Sequence, residues 1–257
     1  MTPLTLEMHA HLGWRRAKGF GFARQMALVP LATDEIGRVS QVMPVAFRKH
    51  AGCWEAVGVM GPIEGTNVYV TREGKWRGNF VPAQLRVYPF CLDAGKLALG
   101  EGYKPEHLAV KGVAPFFEGA GWSPLVAQTQ QFLKAVHAGI AAAAPTLDDL
   151  ESIGALMPWE VPGIDNPQPE TALQGLYTLD VDALETLAED VILTLFRAGA
   201  VRWLYAHSDS LHHAQRFMAM AEALVAPQLD SPRTTERIEG AADILAAIAK
   251  DLGDAEL

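Results

Sequence analysis

The stretch from Thr66 to Phe90, TNVYVTREGKWRGNFVPAQLRVYPF, constrains the fold more than any other part of the chain. Asn67 to Thr71 alternates apolar and polar residues, Arg72-Glu73-Gly74 supplies a turn with a glycine, and Lys75 to Val81 resumes the alternation, which predicts a β-hairpin ended by Pro82. The residues from Gln84 to Phe90 read as extended, because Pro89 steers the residue before it away from the helical region. In that conformation Leu85 and Val87 share one face, and Arg86 and Tyr88 the other. A hairpin needs partners, and the sequence offers them. Met26 to Leu31, Val45 to Phe47, Trp54 to Met60 and Leu97 to Glu101 are short apolar runs separated by Gly, Pro and Asn. Together they describe a mostly antiparallel sheet or half-barrel. Between the first two, Thr33 to Gln41 reads as a helical turn capped by Thr33 or Asp34.

The same stretch resembles the central signature of the bacterial SapC family, roughly Gly-x-x-Asn-Leu-Phe, a Gly-x-Trp turn, Tyr/Phe-Val-Pro-Ala and Arg-Arg-Tyr-Pro-Phe. The matching residues are Gly65, Asn67, Gly74, Trp76, Val81-Pro82-Ala83, Arg86 and Tyr88-Pro89-Phe90. Upstream, Leu28 to Leu31, Glu35 and Met43 to Phe47 fit a second family segment, with Met43 where the family usually carries Tyr. Downstream, Gly175 to Asp180, Leu184, Leu187, Gly199 and Tyr205-Ala206-His207-Ser208 fit a third. The family takes its name from a surface-layer gene cluster, so the resemblance implies an accessory or binding protein connected with surface-layer or surface-polymer export. Genes resembling SapC also lie near flavin-dependent halogenases and cupin-like oxygenases, which implies a metal-dependent enzyme of such pathways as the alternative.

Charge excludes some partners. Asp and Glu outnumber Lys and Arg, 30 to 21, and the only basic cluster is Arg15-Arg16-Ala17-Lys18, too short for a surface that tracks phosphates. Nucleic acid is therefore not an expected partner. No apolar run reaches the roughly 18 residues of a membrane span, and the N-terminus lacks the charged and apolar regions of a secretory signal. The expected location is the cytoplasm. Cys53 and Cys91 lack a CxxC spacing and sit in apolar, strand-like surroundings, which predicts buried, inert thiols.

At Ser123-Pro124 the pattern turns helical. Ser as N-cap and Pro at the first helical position open a helix whose Val126, Thr129, Phe132, Leu133, Val136 and Ile140 recur at helical spacing up to Pro145. Leu147 to Leu156 reads as a short helix, and Pro158 to Glu170 as a proline-rich connection. Asp180 caps a helix over Val181 to Ala198 with Gly199 behind it, and Val201 to Val225 continues as helix. Ser231-Pro232 opens a terminal helix with an apolar face that must be covered, by the domain's own helices or, as the alternative, by a homodimer contact. The architecture is thus α+β, a β-rich lobe over 1–122 followed by a C-terminal helical group over 123–257, read as one continuous fold.

Two functions fit these residues. A binding protein would present Trp76, Arg86 and Tyr88 to a protein or peptide partner, because aromatic and Arg side chains make efficient anchors, with Glu35 and Asn67 as further matched polar positions. A metal enzyme would use His11 and His207 with a carboxylate such as Glu35. His9-Ala10-His11 places two imidazoles on one side of a strand, and His207, His212 and His213 with Asp209 form the densest histidine group. No HExxH motif, nucleophile elbow or phosphate-binding glycine loop accompanies them, and the sequence names no cofactor.

Overall fold

The central sheet has five strands in the order Leu156–Pro158, Leu176–Leu179, Val45–His50, Cys53–Val59 and Leu28–Pro30, and every neighbouring pair is antiparallel. The computed structural model describes residues 1–160 and 172–225. Val45–His50 and Cys53–Val59 form a hairpin that is buried on both faces, with Val45, Phe47 and Ala56 on one and Ala46, Val57 and Val59 on the other, all fully buried. Burying an aliphatic or aromatic side chain of this size contributes roughly 1.5–3 kcal/mol. Helices cover the sheet: Ala144–Ser152 and Ala200–Ser210 bring Leu147, Leu150, Trp203 and Leu204 into the same apolar cluster. The fold is α+β, as the sequence predicts.

A second, smaller cluster is built around Trp14, Phe90, Leu97, Leu99, Phe116 and Leu133. It is framed by a three-stranded sheet, ordered Thr2–Pro3, Lys96–Leu99 and Phe90–Asp93, and by the long helix Pro124–Ala141. That helix starts at Ser123-Pro124 as expected. Near its end Gly139 lies so close to the chain at Ala32 that a Cβ built on it would stand 2.7 Å from the Ala32 Cβ. The Gly139 carbonyl there accepts the Thr33 N–H at 3.2 Å.

Several expectations are corrected. The hairpin over Asn67 to Val81 is a tight turn with a single bridge, Val70 to Trp76, because Val68, Tyr69 and Val70 are buried in succession and leave no solvent face. Ala83–Arg86 is a helical turn rather than extended chain. The turn before Val45 is Ile36–Val39, and it takes no side-chain cap from Thr33 or Asp34. Pro145 opens the Ala144–Ser152 helix instead of separating it from the preceding one. The helix expected from Val181 to Ala198 is two, Val181–Glu185 and Glu189–Arg197, although Asp180 caps the first and Gly199, at φ 67°, ends the second as expected. Leu156–Pro158 and Leu176–Leu179 are strands inside the half read as helical. Cys53 is exposed and Cys91 half-buried, so neither is a core thiol. The connection from 161 to 170 and the terminal helix from Ser231 lie outside the described residues.

Candidate functional site

His207 is fully buried at the point where two strands part. The register that pairs Tyr177 with Phe47 would next set Leu179 opposite Val45. The imidazole stands between them instead. Its Nδ1 lies 2.8 Å from the Val45 carbonyl, which can only accept, so Nδ1 carries the proton. Nε2 accepts the Leu179 N–H at 3.3 Å and meets the Thr178 hydroxyl at 3.0 Å. Burial lowers the imidazole pKa to about 4 against the opposing pull of the Val45 carbonyl. Ser210 extends the junction, accepting the Val45 N–H at 2.8 Å and donating to the His207 carbonyl at 2.6 Å. Both ring nitrogens are committed, so the Tyr-Ala-His segment joins helix to sheet and leaves no lone pair for a metal.

The other matched polar residues are also turned inward. Glu35, 1% exposed, accepts the Ala32 N–H at 3.2 Å and the Ala83 N–H at 2.8 Å. Burial raises its pKa, while these two N–H groups and Arg86 pull the other way. Asn67 donates to the Ala23 carbonyl at 2.9 Å and accepts the Tyr69 N–H at 2.9 Å. Trp76 is half-buried; its indole N–H donates to the Phe80 carbonyl at 2.8 Å, and its ring stacks on Tyr69. Arg86 is exposed and spans the rings of Phe80 and Phe132, each about 5.5 Å away.

Tyr88 differs from these. With Phe22 it forms a parallel stack, centroids 3.8 Å apart, on the wall of a cleft of about 870 Å³. The cleft runs along the seam between the two apolar clusters. Leu85 and Met26 come from the side of the larger, and Phe90, Leu92 and Leu133 from the smaller. The Tyr88–Pro89 peptide is cis, and it turns the Tyr-Pro-Phe motif along this wall. Two edge strands border the space, Leu28–Pro30 and Phe90–Asp93, each with a described neighbour on one side only. Cys91 and His137 also line it, and burial raises the pKa of the thiol and lowers that of the imidazole. Both are thereby kept neutral near pH 7, so the thiol is not activated as a nucleophile. The arrangement is suited to accepting apolar and aromatic groups.

Of Glu35, Asn67, Trp76, Arg86 and Tyr88, the structure places Tyr88 alone in the cleft. His11, His207 and Glu35 are not brought together, and no group of three or more His, Cys, Asp or Glu among the described residues is set to hold a metal. His9 lies in the helical turn Leu6–His9, so His9 and His11 do not share a strand. His213 is bonded to the Ser40 carbonyl, and His212 to the Asp209 carbonyl. Phe22, Cys91 and His137 were not singled out as site residues, though two signals existed: Cys91 follows the Tyr-Pro-Phe motif directly, and His137 lies on the helical stripe between Leu133 and Ile140.

No helix of the described residues is long and apolar enough to cross a membrane. No curated protein and no solved structure matches the chain. The SapC family profile matches residues 4–217, a span that holds the sheet, most of both apolar clusters, the Tyr88-Pro89-Phe90 wall of the cleft and the His207 junction, and the chain belongs to the SapC family.

Proposed function

We propose that this protein is a non-catalytic binding protein whose cleft takes an extended segment of a partner polypeptide bearing a large apolar or aromatic side chain. The observation that carries this reading is that a family motif, Tyr88-Pro89-Phe90, builds the wall of an apolar cleft bordered by two sheet edges. The edges favour a polypeptide over a small molecule. Val29 faces Gly58 in the register, and the Leu31 N–H and the Ala27 carbonyl bond inward to Ala56 and Met60. Alternation then turns the backbone groups of Leu28 outward. Asp93 and Lys96 flank the two-residue turn of the other hairpin, so the same alternation turns Leu92 outward. An incoming strand can pair with such an edge while its side chains enter the cleft. The family name makes a protein of surface-layer or surface-polymer export the partner class to try first. The metal-enzyme alternative draws no support from the geometry, because its histidines are bonded internally or lie apart.

The test is a peptide-display selection against the full chain, followed by affinity measurement for the enriched peptides. Phe22→Ala with Tyr88→Ala is expected to weaken binding about tenfold or more, the loss of roughly 1.4 kcal/mol or above. Trp76→Ala is expected to lower stability by about 2 kcal/mol, less than the 3–5 of a fully buried aromatic, and to leave affinity within about threefold. Unchanged affinity in the folded Phe22/Tyr88 double variant would refute the cleft as the binding site.

A further inference from the structure

A second concavity, about 250 Å³ in volume, shares no lining residue with the cleft. It gathers Arg77, Gly78 and Asn79 from the segment after the turn, Gln41 and Tyr69, and Arg216 from the Ala214–Val225 helix. No carboxylate among the described residues lines it. The ion pairs of the described residues, Arg15 with Glu106, Arg48 with Glu55 and Lys49 with Glu151, involve neither of its arginines. In a chain with 30 acidic residues against 21 basic, two arginines thus line a small pocket with no acid among its described lining residues. Such like charges repel until an anion enters.

The pocket is held in shape. The Arg77 N–H donates to the Tyr69 carbonyl at 2.9 Å, and the Trp76 indole bond to Phe80 closes the loop that carries Asn79. Gly78 packs so closely that a Cβ there would stand 2.5 Å from the Val42 Cγ1. The Tyr69 hydroxyl donates to the Val42 carbonyl at 3.2 Å, and burial raises its pKa despite the opposing charge of Arg216. Tyr69 therefore stays protonated and supplies no phenolate to neutralise Arg216.

We infer that this pocket binds a phosphate-type dianion, either free phosphate or the phosphomonoester end of a small molecule. Planar guanidinium forks from Arg77 and Arg216 match phosphate oxygens, and the side-chain amides of Gln41 and Asn79 add donors. The volume falls just below the roughly 300–1,000 Å³ of ordinary ligand pockets, which suits a phosphate group rather than a whole nucleotide.

Isothermal titration calorimetry of the full chain with inorganic phosphate, glycerol 3-phosphate and acetate tests the assignment. One saturable site for phosphate or the ester is expected, weakened about tenfold or more in Arg77→Ala and in Arg216→Ala, as for loss of one charged hydrogen-bonded pair. Arg16→Ala, which removes an exposed arginine outside the pocket, is expected to bind as the parent does. Both arginines of the pocket are exposed, so the variants should fold, and circular dichroism checks that they do. Tighter binding of the ester names a phosphomonoester as the occupant, and tighter binding of phosphate names the free ion. The assignment is overturned by acetate binding as tightly as phosphate, by an equal loss in Arg16→Ala, or by no saturation up to about 10 mM.

Discussion

Taking the His207 ring out of water holds it neutral, and in that form it bridges Val45 and Leu179. The pH consequence follows from the lowered pKa. Unfolded, the imidazole takes up a proton near pH 6.5; folded, it resists until about pH 4. Between those values the unfolded state binds the extra proton, so the stabilisation is full above pH 6.5 and is lost as pH falls through the window. The loss amounts to about 3 kcal/mol by the bottom of the window. Glu35 has the opposite sign: its raised pKa means that its contribution weakens as pH climbs above 4.5. A bulk unfolding curve mixes the two, so the cleaner reading is ¹⁵N NMR of the ring. His207 is expected to show the Nδ1–H tautomer at pH 7 and no protonation until near pH 4; titration near pH 6.5 would contradict the buried junction. The sequence marked His207 as special through Tyr-Ala-His, but its chemistry was not legible there. A metal ligand and a strand-bridging imidazole require the same residue, and only the Val45 carbonyl and Leu179 N–H distinguish them.

Secondary elements were legible where a local signal and the tertiary packing agree. Ser123-Pro124 and the stripe of Val126, Leu133 and Val136 place the long helix correctly because Pro124 favours the first helical position locally and the stripe is the face that becomes buried, although the Ser123 hydroxyl makes no cap and donates to the Pro115 carbonyl at 2.8 Å instead. Ala83–Arg86 was misread because its first N–H is met by Glu35, 48 residues away in sequence. Alternation over Asn67 to Val81 misled because Val68 to Val70 are enclosed on all sides. Gly139 shows the same override inside a helix. Alanine there would raise helix propensity by about 1 kcal/mol, yet its Cβ would strike Ala32 beneath the helix. Gly139→Ala is therefore expected to lower stability, by about 1–3 kcal/mol as an overpacked contact does. The urea midpoint measures it, and an increase would show that the helix can lift from Ala32 at little cost.

Across the whole molecule, the two halves of the sequence share one sheet: Leu176–Leu179 lies beside Val45–His50, with His207 bridging where they part. The candidate site has the same non-local character. Phe22, Tyr88 and His137 meet in the cleft from three distant parts of the chain. The motif flagged Tyr88, while Phe22 and His137 depend on how the two apolar clusters dock. Trp76 and Arg86 read as equally good anchors, because sequence does not reveal which aromatic of a turn faces its own Tyr69 and Phe80 and which faces a cleft. Hydrogen exchange of the full chain, with and without a peptide enriched by display, tests the cleft most directly. Pairing at an edge is expected to slow exchange of the Leu28 or the Leu92 amide by about tenfold or more, consistent with one new backbone hydrogen bond. Peptide binding that leaves both amides unchanged would contradict the edge-bordered cleft as the site where a partner docks.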